Sequence, residues 1–183
     1  MREIVFLLEE ESAKVMIEGI LPKLISTEIP IRFIVFEGKQ DLDRQIMRKL
    51  KGYNNREARF VILRDQDASD CIHVKNNLKN KCIAANKPDA VVRIACRELE
   101  SWYLADLTAV EKAYPIIGIS ELQNKKKYRN PDNLGKPSVE LKNLVPEYQK
   151  VNGSRKIAEF IDVDNFRSTS FKNFIKSIRE IVS

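Results

Sequence analysis

Apolar positions along the 183-residue chain fall into two rhythms. Short β-branched and aromatic runs, Glu3 to Leu8, Arg32 to Phe36, Arg59 to Leu63 and Ala90 to Ile94, are bounded by polar residues and have the length of strands. Between them apolar residues recur at helical spacing: Ala13, Met16, Ile17, Ile20, Leu21 and Leu24, then Leu42, Ile46 and Leu50, then Val74, Leu78 and Cys82. A further helix runs through Leu99, Trp102, Tyr103 and Leu104. Strands alternating with amphipathic helices predict an α/β fold, a parallel sheet covered by helices. Four such units account for residues 1–107.

From Thr108 the rhythm loosens, and Pro115, Pro131, Pro137 and Pro146 punctuate short apolar pieces. Helices are predicted at Val139 to Leu144, at Glu147 to Phe160 across Gly153, and at Phe171 to Ile181, with Ser170, Ser168 and Asn165 as candidate capping residues. Residues 108–183 thus form a helical and loop elaboration packed on the core, within a single domain. No internal repeat or low-complexity linker interrupts the chain.

Composition narrows the class. With 43% hydrophobic and 32% charged residues the chain is globular. Its longest apolar run, Ile4 to Leu8, is far below the ~18 residues of a membrane span and too short for a signal peptide, which predicts a soluble cytoplasmic protein. Cys71, Cys82 and Cys96 lack metal-ribbon spacing and read as reduced packing residues. A single histidine, His73, argues against histidine-based hydrolysis, so any such chemistry must rest on carboxylates. The net charge is +6 and uneven: residues 1–107 carry 18 Lys and Arg against 17 Asp and Glu, whereas residues 108–183 carry 14 against 9. A basic C-terminal part suits a polyanion such as nucleic acid.

In parallel α/β sheets, functional groups gather beyond the carboxyl ends of the strands. Here the first strand exits into Glu9-Glu10-Glu11, the second into Glu37-Gly38-Lys39, the third into Arg64-Asp65-Gln66-Asp67 and the fourth into Arg97-Glu98. Asp65 and Asp67, two residues apart, would face the same side if the strand continued, and a divalent cation relieves the repulsion between such neighbours. Glu9 joins them if the first and third strands are adjacent. An all-oxygen trio of Glu9, Asp65 and Asp67 suits Mg²⁺ or Mn²⁺. Capping of the next helix is the simpler role for an isolated Asp-x-Asp. A Walker A loop is excluded by Phe33 and Gln40 at positions where glycine and Ser or Thr are needed, and an EF-hand by Asp70 and Asn76.

These exits resemble those of a Toprim domain, the metal-binding module of topoisomerases, primases and OLD-type nucleases. More narrowly the chain resembles the bacterial family known as domain of unknown function 4276. That resemblance is carried by Leu8-Glu9-Glu10, Glu37-Gly38-Lys39-Gln40-Asp41, Leu63-Arg64-Asp65-Gln66-Asp67, the stretch from Arg93 to Tyr103, Tyr128-Arg129-Asn130-Pro131-Asp132 and Ser168-Thr169-Ser170-Phe171. It implies a three-layer α/β/α Toprim-like fold with a four-stranded, mainly parallel sheet. It also implies a nuclease or effector acting with an ATPase encoded nearby, in defence against phage or mobile DNA. Glu9 matches the Toprim glutamate and Asp65 and Asp67 its aspartate pair, whereas Glu10 replaces the glycine that usually follows the glutamate. A catalytically inactive regulatory or adaptor subunit is the alternative.

On a helix Glu98 and Glu100 would lie about 200° apart, so only one can face the site. Glu98, nearer the strand exit, is the candidate auxiliary catalytic carboxylate, and Trp102 reads as a core residue. Lys39, Arg97 and the run Lys125, Lys126, Lys127 and Arg129 are candidate phosphate contacts, with Tyr128 inside that run as an aromatic neighbour for a nucleic-acid backbone.

Overall fold

The computed structural model describes residues 2–25 and 28–183. Its core alternates strand and helix: β1 (Glu3–Leu8), α1 (Glu11–Ile20), β2 (Ile31–Val35), α2 (Lys39–Lys51), β3 (Ala58–Asp65), α3 (Cys71–Ala84) and β4 (Val91–Ala95). Then follow α4 (Glu100–Leu104), α5 (Leu107–Ala113), α6 (Pro137–Leu144), α7 (Lys150–Ala158) and α8 (Thr169–Val182). The sheet has the order β2-β1-β3-β4, and every neighbouring pair is parallel. Among the described residues no helix is long and apolar enough to cross a membrane.

Alternation along the strands sorts the core into two layers. Ile4, Phe6, Leu8, Val61 and Leu63 face a cluster shared with α1, α4, α5, α7 and α8. Val5, Leu7, Phe60 and Ile62 face a smaller one built with α2 and α3. Both faces of a parallel sheet must be covered, which explains why its strands are nearly continuous in apolar residues. The resulting architecture is a Toprim-like α/β/α sandwich.

Several boundaries differ from the sequence pattern for physical reasons. β3 continues past Leu63 through Arg64 and Asp65, whose partners across β4 are Ile94 and Ala95. Two charged residues remain in the strand because Arg64 meets Asp43 of α2 and Asp65 is covered by the opposite layer. The helix expected over 147–160 starts only at Lys150, and Gly153 lies inside it without a break. A Cβ there would fall 2.3 Å from the Tyr148 ring, so glycine permits the ring to lie against the helix. The cap of α8 is Ser168, whose hydroxyl accepts from the Phe171 N–H, and not Ser170. Ser170 Oγ instead accepts the indole N–H of Trp102, which is buried as expected. The run from Lys125 to Arg129 is held in short 3-10 turns against α6.

Candidate metal and nucleic-acid site

Parallel order brings the exits of β1 and β3 side by side. The Glu9 N–H still donates to Leu63 O, and Glu9 Oε2 accepts the Asp65 N–H at 3.1 Å. Arg64 Nε lies 4.0 Å from the same carboxylate oxygen. Burial, followed by repulsion from Asp67 and Glu10, leaves the Glu9 pKa above the ordinary carboxylate value.

The period of two places Asp65 on the face of Val61 and Leu63, under the helices of the larger layer. It is only 9% exposed. Among the described residues its carboxylate has no hydrogen bond or ion pair. Burial and the negative charges of Glu100 and Glu9 hold its pKa well above the usual range. Glu100, fully buried at the start of α4, accepts from the Tyr148 hydroxyl at 2.9 Å through Oε1, while Oε2 has no partner. Burial again raises its pKa.

The counter-charge comes from far along the chain. Lys150, the first residue of α7, pairs with Glu10 at 2.5 Å. Burial opposes its charge, but the Glu10 carboxylate and the fields of Glu100 and Asp65 raise its pKa above that of an ordinary lysine. Three carboxylates, Glu10, Asp65 and Glu100, therefore share Lys150, whereas the cation beside Glu9 is Arg64.

Asp67 is oriented differently. It adopts φ 55°, a left-handed conformation that Asp tolerates better than most residues, and its N–H donates to Arg97 O at 2.9 Å. Its carboxylate pairs with Lys39 at 2.7 Å, and this bond raises the lysine pKa. Gly38, at φ 94° and with its N–H bonded to Glu9 O, makes the turn that starts α2 and delivers Lys39 there.

Other candidates are dispersed. Glu98 precedes α4 and accepts the Ser138 N–H at 2.7 Å, so it caps the start of α6. Glu100 takes the position expected of Glu98: the helix begins one residue after Leu99, and its buried face carries Glu100 with Tyr103 and Leu104. A carboxylate in that apolar stripe was a visible signal. Lys150 and Tyr148 had none, because they meet the site only through the tertiary packing of α7. Arg97 is exposed beside the Asp67 turn. Lys125, Lys126 and Arg129 are exposed, but Lys127 pairs with Glu140 at 2.6 Å, and Tyr128 is buried with its hydroxyl on the same carboxylate. Tyr128 therefore offers no face for a base.

A four-stranded parallel sheet between two helical layers gives the chain a Toprim-like fold. The chain belongs to the family described as domain of unknown function DUF4276, whose model matches residues 8–179. It is similar to the solved C-terminal region of the Burkholderia pseudomallei OLD protein, with 15% identity, 98% of each chain covered and a TM-score of 0.59. It is also similar to the C-terminal region of the Xanthomonas campestris pv. campestris OLD protein, with 16% identity, 99% of this chain and 94% of that one covered, and a TM-score of 0.54. At these identities the likeness concerns the fold. No curated protein matches the chain.

A Toprim-like fold implies a divalent cation. Among the described residues no group of three His, Cys, Asp or Glu side chains is disposed to hold one ion, so the trio of Glu9, Asp65 and Asp67 drawn from the sequence is not assembled. Asp67 is engaged by Lys39 instead. Glu9 and Asp65, and the orphaned Glu100 Oε2, are oxygen donors of the kind a hard cation takes, although they too are not gathered around one point. Mg²⁺ commonly binds through one or two carboxylates and completes its shell with water and phosphate.

Proposed function

We propose that this chain is a Mg²⁺- or Mn²⁺-dependent Toprim-like nuclease or nucleic-acid-processing effector. It would be cytoplasmic and work with a partner ATPase in defence against mobile DNA. Residues 1–107 form its catalytic core and residues 108–183 an elaboration packed on it. The observation that carries the reading is the Asp65 carboxylate, buried among other acids and without a partner. Such a group either keeps its proton, in line with its raised pKa, or ionises when a bound cation adds charge beside it.

Glu9 and Asp65 would hold the ion, with Asp67 joining once Lys39 releases it. The ion, when bound, would offset charge on the scissile phosphate and acidify a water molecule. Glu9, its pKa raised by burial, is suited to accept a proton from the attacking water. Lys39, freed from Asp67, would meet the phosphate, as would Arg97 beside the same turn. Lys125, Lys126 and Arg129 would steer the strand by charge, and Glu100 would stand in for Glu98 as auxiliary carboxylate.

The test is nicking of supercoiled DNA in Mg²⁺ or Mn²⁺. Asp65→Asn is expected to abolish it while circular dichroism remains unchanged, and a variant as active as the parent rejects the assignment. The regulatory-subunit alternative is favoured by the Lys39–Asp67 and Lys150–Glu10 pairs, two built-in cations at the place of a metal. It predicts no Mn²⁺ uptake by calorimetry and tight binding to the ATPase.

A further inference from the structure

A cavity of about 420 Å³ opens at the carboxyl end of β4, between the first turns of α3 and α8 and the turn at 130–133. It adjoins the acidic site through main chain: Gln66 lies between Asp65 and Asp67, and the carbonyl of Arg97, another lining residue, accepts the Asp67 N–H. Its size falls within the roughly 300–1,000 Å³ usual for small-ligand sites.

The lining is unevenly satisfied. Asp132 is occupied by the Ser168 hydroxyl and the Ser170 N–H, and Arg93 by Asn173 O and Ser177 Oγ. Lys75 and Arg97 are different: among the described residues their side chains have neither an ion pair nor a hydrogen bond. The carboxamides of Asn130, Asn133 and Asn173 are likewise unengaged. No aromatic ring lines the cavity, so a ligand would be read by hydrogen bonds instead of stacking.

We propose that this cavity binds a nucleoside 5′-phosphate unit, with the phosphate on Lys75 and Arg97 and the base edge on the asparagine carboxamides. Two unpaired cations match the near-dianionic charge of a terminal phosphate better than the single charge of an internal diester. Carboxamides present the donor and acceptor pair that recognises base edges. Such a unit could come from a 5′-phosphorylated strand end or from a free mononucleotide. The strand end rests on the nucleic-acid reading above, whereas the chemistry of the cavity does not.

The cavity carries its own reporter. Cys71 and Cys96 line it with their sulfurs 3.6 Å apart, whereas Cys82 is buried elsewhere. N-ethylmaleimide labelling in EDTA, followed by peptide mass spectrometry, reads occupancy without any catalysis. The probes are a short oligoadenylate with a 5′-phosphate, the same oligomer with a 5′-hydroxyl, adenosine 5′-monophosphate and inorganic phosphate. The phosphorylated oligomer is expected to slow labelling of Cys71 and Cys96 about tenfold, the hydroxyl form far less, with Cys82 unchanged. Lys75→Ala with Arg97→Ala, both at exposed positions, should erase the protection. Protection by the mononucleotide but not the oligomer keeps the site and assigns it to free nucleotide. Equal protection by inorganic phosphate, equal protection by the hydroxyl oligomer, or no protection at all overturns the proposal. None of these outcomes touches the nuclease reading, which stands or falls on Asp65→Asn.

Discussion

The Asp65 main-chain N–H donates to the Glu9 carboxylate, so the two acids best placed to share a cation are tied through backbone, without a bridging base. Glu9 cannot turn away without giving up that bond. The charge conflict is therefore built into the sheet.

That conflict has a pH signature. A carboxyl whose pKa is higher in the folded than in the unfolded state binds its proton more tightly when native, so stability falls as pH rises from the ordinary carboxylate range through the folded value. Asp65, Glu9 and Glu100 all shift upward. Metal-free protein should therefore be more stable near pH 5 than near pH 8, apart from its other titrations. Asp65→Asn should flatten this slope and add about 1 kcal/mol at pH 8. Thermal melts of both proteins across pH decide the point; a variant less stable than the parent at pH 8 contradicts it.

Lys39 and Asp67 form an exposed pair, whose contribution to stability is typically below about 1 kcal/mol. Lys39→Ala should thus melt close to the parent. By freeing Asp67 it should also strengthen Mn²⁺ binding in calorimetry. Unchanged affinity would mean that the lysine is not what keeps Asp67 from the ion.

Tyr148 lies against Gly153 and holds Glu100. Gly153→Ala should displace the ring and cost roughly 1–3 kcal/mol, as overpacking usually does. Tyr148→Phe should cost roughly 1–3 kcal/mol by leaving a buried carboxylate without its donor. Because both act through one contact, the double variant should fall short of the sum of the two. Denaturant titration measures all three, and full additivity would separate the roles.

On the proposed nucleic-acid reading the basic run would act through charge alone, since Tyr128 is buried. Lys125→Ala with Lys126→Ala should weaken binding to unrelated DNA sequences alike and lower the salt slope by about 2. Anisotropy at several salt concentrations provides the measurement. An unaltered slope would place the strand elsewhere on the protein.

The sheet was legible in the sequence because period-two burial and strand-length apolar runs are local properties. β1 has the bounds its pattern suggests, and the other strands differ by one or two residues at their ends. The extension of β3 was hidden, since a buried Arg64 makes sense only once Asp43 is known to face it. Around the acids, Glu9 and Asp65 could be found as strand-end residues. That Glu98 caps α6 while Glu100 lies buried beside Tyr148 depends on the phase at which α4 begins, and that phase is set by the loop before it. Lys150 and Tyr148 depend on α7 docking against α1 and could not be read from local spacing.

α7 also gives the site an order in time. Synthesis presents Glu10, Asp65 and Glu100 to the ribosome exit well before Lys150, the cation they share, and domains acquire structure from the amino end as they emerge. A nascent chain halted after α4 would hold the whole sheet with Glu10, Asp65 and Glu100 in place and Lys150 still to come. Full closure of the acidic rim waits until α7 has been made and has docked against α1.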